Sequence, residues 1–133
     1  MAWITPKTNW KTGDIFDPEE DYERIKGDIE YLGEFSEKLY APFDLIEMEE
    51  PVMTGFPYPT FFNNVVENVE ILGENTFQPD GYQAMRHYSG NQPGWNDADL
   101  NIIEGNLALM YTSMNGQWNI LPKLEFEIGG SEF

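Results

Sequence analysis

Residues 21–32, DYERIKGDIEYL, decide the fold. Their apolar side chains recur every three or four residues and form one stripe, which predicts an amphipathic helix from Asp17 to Tyr40. Asp17 can accept hydrogen bonds from the first free amides, and Pro18 suits the first helical position. Pro42 then ends the helix, because proline cannot continue it.

Two further stretches carry the same spacing of apolar residues. The second begins after Thr60, a candidate cap, and ends at Gly73. Its valines also suit a strand, but its apolar positions follow the helical period, so we predict a helix. The third begins at Asn96, with two aspartates in its first turn, and ends around Asn115-Gly116.

The three stretches share more than an apolar stripe, which indicates an internal repeat. Gly27 and Gly105 occupy one equivalent position, and Asp28, Asn68 and Asn106 occupy the next. Glycine inside a helix costs about 0.5–1 kcal/mol relative to alanine, so we predict close helix contact at both glycines. The Asp and Asn side chains would then bond to a neighbouring helix end or loop; the alternative is a solvated turn with no special role. The aligned apolar positions are Tyr22, Ile25, Ile29 and Leu32; Phe62, Val65, Val69 and Leu72; and Leu100, Ile103, Leu107 and Met110.

The remaining sequence is rich in Pro, Gly, Asn and aromatic residues, notably over residues 51–59 and 78–94, which predicts long ordered loops. Residues 121–130 alternate apolar and polar side chains, as a short strand would, and residues 45–48 or another subunit could pair with it. We therefore predict a mainly α fold of three antiparallel helices with long ordered loops and a short β element near the C-terminus, in a single domain spanning residues 1–133.

Composition excludes several classes of protein. A net charge of −17 repels nucleic acid and anionic membranes, so neither is expected as a partner. Hydrophobic residues at 41% are too many for a disordered chain. The absence of cysteine removes disulfides, thiolate metal sites and thiol nucleophiles. No signal peptide or membrane-spanning run is recognisable.

The sequence offers little catalytic chemistry, so we predict a protein that is not an enzyme and needs no cofactor. His87 is the single histidine, and no Gly-x-Ser-x-Gly motif surrounds a serine. Acidic clusters at residues 14–20 and 96–101 could supply calcium ligands. They lack the spacing and central glycine of an EF-hand loop and fall at helix starts, so we predict capping there and no metal site.

Several of these motifs resemble a family of small virion proteins from phages and prophages of Firmicutes. ITPKTNW at residues 4–10 resembles the family's Pro-Lys-Thr-Asp-Trp opening, and residues 21–32 resemble its D-Y-N-R-I-x-x-N-I-x-Y-L helix. DLNIIEGNL at residues 99–107 resembles its D-L-N-R-I-E-x-N motif, and residues 121–133 are similar to its glycine-containing ending. The departures are Glu23 and Asp28 where the family usually has Asn, and Ile102 where Arg is common.

This resemblance implies a structural role in a virion, near the tail, baseplate or neck, for a protein made in the cytoplasm of the bacterial host. The partners would be other virion proteins and copies of the chain itself in a symmetric oligomer. We expect contact between subunits through aromatic anchoring in the N-terminal segment and through strand addition near the C-terminus. The candidate interface residues are Trp3, Trp10, Lys123, Leu124, Phe126 and Ile128.

Two other functions fit the composition. A carbohydrate-binding module for host wall polymers would stack sugar rings on exposed aromatic side chains. Its candidate residues are Tyr82, Tyr88, Trp95 and Trp118. A small acidic regulator that mimics nucleic acid would need its carboxylates in regular rows, whereas the sequence concentrates them at helix starts.

Overall fold

The fold is mainly helical, as predicted. A computed structural model describes the backbone of residues 3–17, 19–48, 59–87 and 96–129, and the side chains of these residues except 59–61 and 120–129. The three helices are α1 (Glu20–Ser36), α2 (Pro59–Asn75) and α3 (Asp97–Gly129). Within this part of the chain there is no strand. No helix found there is long and apolar enough to cross a membrane.

Reciprocal hydrogen bonds set the starts of α1 and α3. Asp17 Oδ1 accepts the amides of Glu19 and Glu20, at 2.8 and 3.3 Å, and Asp21 Oδ2 accepts the amide of Asp17 at 2.7 Å. Asn96 and Asp99 each accept the other's backbone N–H, at 2.8 and 3.2 Å. These pairs satisfy amides that have no partner within the helix, so both acidic clusters serve as caps. α1 is shorter at both ends than the predicted span.

The core is built from the aligned positions of the repeat. Every one of the twelve apolar residues aligned above is buried at the junction of the three helices. The residues that complete this cluster from outside the aligned set are Trp10, Phe35, Met48, Val66, Met85 and Met114. The repeated pattern in the sequence therefore corresponds to a repeated layer of packing.

All three helices run in the same direction, so the predicted antiparallel arrangement is wrong. Arg24 near the start of α1 contacts Glu104 near the start of α3. Just past the end of α1, the Tyr40 hydroxyl bonds Gln117 of α3 and accepts the amide of Phe77, which follows α2, at 3.1 Å. The ends of α1 and α2 therefore lie level with Gln117 of α3.

Parallel helices require the chain to return along their whole length before each new helix begins. Two segments do this: the second segment (residues 43–48) leads to α2, and the third segment (residues 78–87), which contains a turn at residues 80–81, leads to α3. The first segment (residues 3–10) precedes α1 and packs against α1 and α3. Short turns of the kind that join antiparallel helices could not make these connections. The long loops predicted from composition are thus a consequence of the parallel arrangement.

The C-terminal β element is not supported, because α3 continues through Gly129 instead of ending around Asn115-Gly116. The alternation that suggested a strand also contains a helical spacing, since Leu121, Leu124 and Ile128 are three and four residues apart. Residues 45–48, the candidate partner strand, lie in the second segment against the helices.

Candidate functional site

Two asparagines of the repeat bind the chain's own backbone in the same way. Asn68 accepts the N–H of Ile46 at 2.6 Å and donates to its carbonyl at 2.8 Å. Asn106 accepts the N–H of Gln83 at 2.9 Å and donates to its carbonyl at 2.8 Å. Both asparagines are buried. Each side chain thus satisfies both polar groups of one residue in an extended segment, as a neighbouring strand would.

We call this pair of hydrogen bonds, from one side chain to both backbone polar groups of one residue, a clamp. Asp28 occupies the equivalent position in α1 and makes only one of the two bonds. Its Oδ1 accepts the N–H of Ile4 at 3.0 Å. Its Oδ2 is buried and has no hydrogen-bond partner within the part of the chain described. Burial raises the pKa of Asp28 to about 7, against the lowering effect of the Ile4 amide. The clamped residues lie 24, 22 and 23 residues before the three clamps, so the repeat includes the segments as well as the helices.

The residue that precedes each clamped residue packs on the helix of another repeat unit. Leu45 of the second segment lies over Gly33 of α1, where an added Cβ would come within 2.8 Å of Leu45 Cδ1. Tyr82 of the third segment lies over Gly73 of α2, at 3.4 Å from such an atom. Gly33 and Gly73 are equivalent in the repeat, one residue after the aligned leucines. Their missing side chains leave room for the segment to approach.

In the first segment the same position is filled differently. Trp3, which precedes the clamped Ile4, stacks on Tyr111 of α3 with ring centroids 4.0 Å apart and planes at 4°. Tyr111 is the α3 equivalent of Gly33 and Gly73, so an aromatic pair replaces the leucine or tyrosine seated over a glycine. Each segment therefore lies between the helix that follows it in sequence and one other helix. The first segment packs between α1 and α3, so each pair of helices has one segment between them.

A buried carboxylate on α3 joins the first segment and α1 to α3. Glu104 is 0% exposed and receives the Arg24 guanidinium in a two-pronged ion pair, at 2.7 and 2.9 Å. It also accepts the indole N–H of Trp10 at 2.6 Å and the amide of Lys7 at 3.0 Å. Asn101, one turn earlier, accepts the N–H of Trp10 and donates to its carbonyl. Four donors around one buried charge compensate its loss of hydration.

Trp3 and Trp10, predicted as contacts between subunits, are used inside the chain. Trp10 is 4% exposed and belongs to the core, and Trp3 is half-buried on Tyr111. Trp10 is therefore a core residue and not a surface anchor. The side chains of the remaining interface candidates, which are Lys123, Leu124, Phe126 and Ile128, lie outside the described residues.

The predicted close contact at Gly105 is wrong. A Cβ built there meets nothing within 4 Å, and Gly105 lines an open groove of about 370 Å³ together with Thr8 and Gln83. Gly27 is half-buried and lines another surface groove beside Ile4. The close approaches occur at Gly33 and Gly73, which could have been found by extending the alignment of the repeat by one residue.

The aromatic residues proposed to stack on sugars do not form one described platform. Tyr82 is half-buried over Gly73, between α2 and α3, and burial raises the pKa of its hydroxyl to about 12. Trp118 is 40% exposed and contacts Phe35 of α1 edge-on. Tyr88 and Trp95 lie outside the described residues. His87 pairs with Glu70 of α2 at 2.8 Å.

Within the described ranges, no group of three or more His, Asp or Glu side chains is arranged to hold a metal ion. No protein-family model, curated protein or solved structure matches the sequence. The geometry of this chain and the motif resemblance are therefore the basis for a functional proposal.

Proposed function

We propose that the chain is a structural subunit of a phage virion, an adaptor near the tail, baseplate or neck that binds copies of itself and larger virion proteins. One observation carries this proposal. The polar residues of the motifs that resemble virion proteins are used to hold the chain's own helices and segments together. These residues are Arg24, Asp28, Asn101, Glu104 and Asn106. Such motifs specify a scaffold, which is what an assembly subunit requires.

The end of α3 is the surface that we propose for assembly. At Gln117 it lies level with Tyr40 and Phe77, where the other two helices have ended. Residues 118–129 then continue as helix, for roughly 18 Å at about 1.5 Å per residue. Their sequence contains several large apolar residues, including Leu124, which a neighbouring chain would bury. Burial of apolar surface is the main favourable term in such associations.

The strong acidity of the chain sets a condition on this assembly. Copies with a charge of −17 repel one another, and salt screens this repulsion over a distance of about 10 Å at 0.1 M. Self-association through an apolar helix should therefore become stronger as salt is added. An association driven by ion pairs would become weaker under the same change.

The proposal can be tested by measuring the mass of the protein in solution by light scattering at low and high salt. We expect a discrete oligomer, favoured by salt, that Leu124→Asp converts to monomer. Ile15→Asp is the matched control, because Ile15 is also apolar, is 87% exposed and lies outside α3. It should leave the mass unchanged.

The same preparation distinguishes the carbohydrate-binding alternative. A protein that stays monomeric at all salt concentrations, binds host wall polysaccharide saturably and loses that binding in Trp118→Ala would contradict the assembly proposal. A discrete oligomer without polysaccharide binding would support it.

A further inference from the structure

We propose that Asp28 is a proton-operated latch on the first segment: the protonated side chain clamps Ile4 between α1 and α3, and loss of the proton loosens residues 3–10. This inference concerns the conformation of the isolated chain and is independent of the proposed virion role. Asp28 is a carboxyl where its two equivalents in the repeat, Asn68 and Asn106, are amides.

The repeat provides an internal standard for what this position does. At Asn68 and Asn106 one side-chain atom accepts a backbone N–H and the other donates to the carbonyl of the same residue. At Asp28 the accepting half is present, with Oδ1 at 3.0 Å from the Ile4 nitrogen. The other half is an oxygen, Oδ2, buried and without a partner within the described residues. A carboxyl can take the place of the amide donor only when it carries a proton.

The surroundings of Asp28 favour this proton. Its side chain is 1% exposed, and burial disfavours the charged form. From α3 it faces Glu104, which also disfavours the negative charge, and from its own helix Arg24, which favours it. Those two side chains pair with each other, and the first segment contributes the Ile4 amide. The described part of α2 contributes no charged group to this environment.

The sign of the pH effect follows from these contacts. Burial raises the pKa of Asp28 from an ordinary 3.8 to about 7, so the folded chain binds this proton more tightly than the unfolded chain does. Stability then falls as pH rises from about 4 to about 7, and no further loss from this group occurs above that range. Above pH 7 the buried carboxylate cannot donate to the segment, and the first segment depends on its contacts with α3.

The latch can be observed directly at the amide it holds. In wild-type protein we expect the NMR shifts of the Ile4 amide to titrate with a midpoint near pH 7. Asp28→Asn keeps the acceptor and adds a permanent donor, so the Ile4 amide should show no transition near neutrality. The melting temperature of the wild-type protein should also fall by more between pH 5.5 and pH 8.5 than that of Asp28→Asn. Because the two proteins share every other carboxylate, the difference between them reports on Asp28.

The reverse substitution tests whether the position itself creates the latch. Asn106→Asp should introduce a new pH-dependent transition at the amide of Gln83, while the Ile4 transition remains. The proposal would be overturned if the Ile4 amide titrated only below pH 5, or if Asp28→Asn left its transition near pH 7 unchanged.

Discussion

The first repeat unit and the third are built on one pattern, yet they hold their extended segments by different means. Asn106 satisfies both polar groups of Gln83 within a single side chain. Asp28 satisfies one group of Ile4 and leaves an oxygen unpaired in the described structure. The first segment is held in addition by a helix other than its own, because Glu104 and Asn101 of α3 bond the amides of Lys7 and Trp10.

This difference shows that the core and the clamps of the repeat are under separate constraints. The apolar positions tolerate exchange among Ile, Val, Leu and Met because each only fills space in the shared core. The polar position must match the backbone groups opposite it, so replacing Asn with Asp changes its chemistry even though its shape is kept. The N-terminal segment is therefore held chiefly by α3, about ninety residues away in sequence.

The largest effect expected from breaking this arrangement is at Glu104. Glu104→Ala would leave the guanidinium of Arg24 and the indole of Trp10 without their acceptor in a buried site. Removal of one partner of a buried ion pair costs about 3–5 kcal/mol. Urea unfolding should show this loss, whereas Glu74→Ala, which removes the same side chain from an exposed position on α2, should change stability by less than about 0.5 kcal/mol. Equal effects of the two substitutions would contradict the central role of Glu104.

A smaller effect separates the two clamps. Asn106→Ala leaves the N–H and the carbonyl of Gln83 unpaired, and should reduce the free energy of unfolding by about 2 kcal/mol. Asp28→Ala at pH 8 removes a hydrogen bond but also a buried charge, so we expect a loss of less than about 1 kcal/mol. Chemical denaturation of both variants at pH 8 measures the difference. A larger loss for Asp28→Ala than for Asn106→Ala would show that the acidic clamp is the stronger one.

The helices and the repeat were accessible from sequence because apolar periodicity and capping residues are local signals. The stripe through Ile25 and Ile29 and the cap at Asn96 depend only on residues within a few turns. The repeat also identified Asp28, Asn68 and Asn106 as one set. Their partners could not be read from the sequence, because the clamps bind backbone atoms and backbone atoms carry no sequence signature.

The direction of the helices could not be predicted from the apolar stripes. An apolar stripe packs equally well against a parallel or an antiparallel neighbour, and only the connections distinguish the two arrangements. The long segments before α2 and α3 contained that information, since antiparallel helices are usually joined by short loops. The role of Glu104 was hidden among 24 acidic residues, although its position beside the apolar stripe of α3 could have marked it as buried.

Glycines at two positions of the repeat provide the smallest and most discriminating test of the structure. Gly33→Ala would place a methyl group 2.8 Å from Leu45 Cδ1, so the end of the Leu45 side chain must leave its packed position; we expect a net loss of up to about 1 kcal/mol after the gain in helix propensity. Gly105→Ala meets nothing within 4 Å and should instead stabilise the protein by about 0.5–1 kcal/mol. Thermal unfolding of the two variants gives opposite signs if the segments approach the helices at Gly33 and not at Gly105. If both substitutions changed the stability in the same direction, the segments would not lie over the helices as the repeat requires. The repeat aligns the helices in one register, and that register determines which glycine is covered by a segment and which is not.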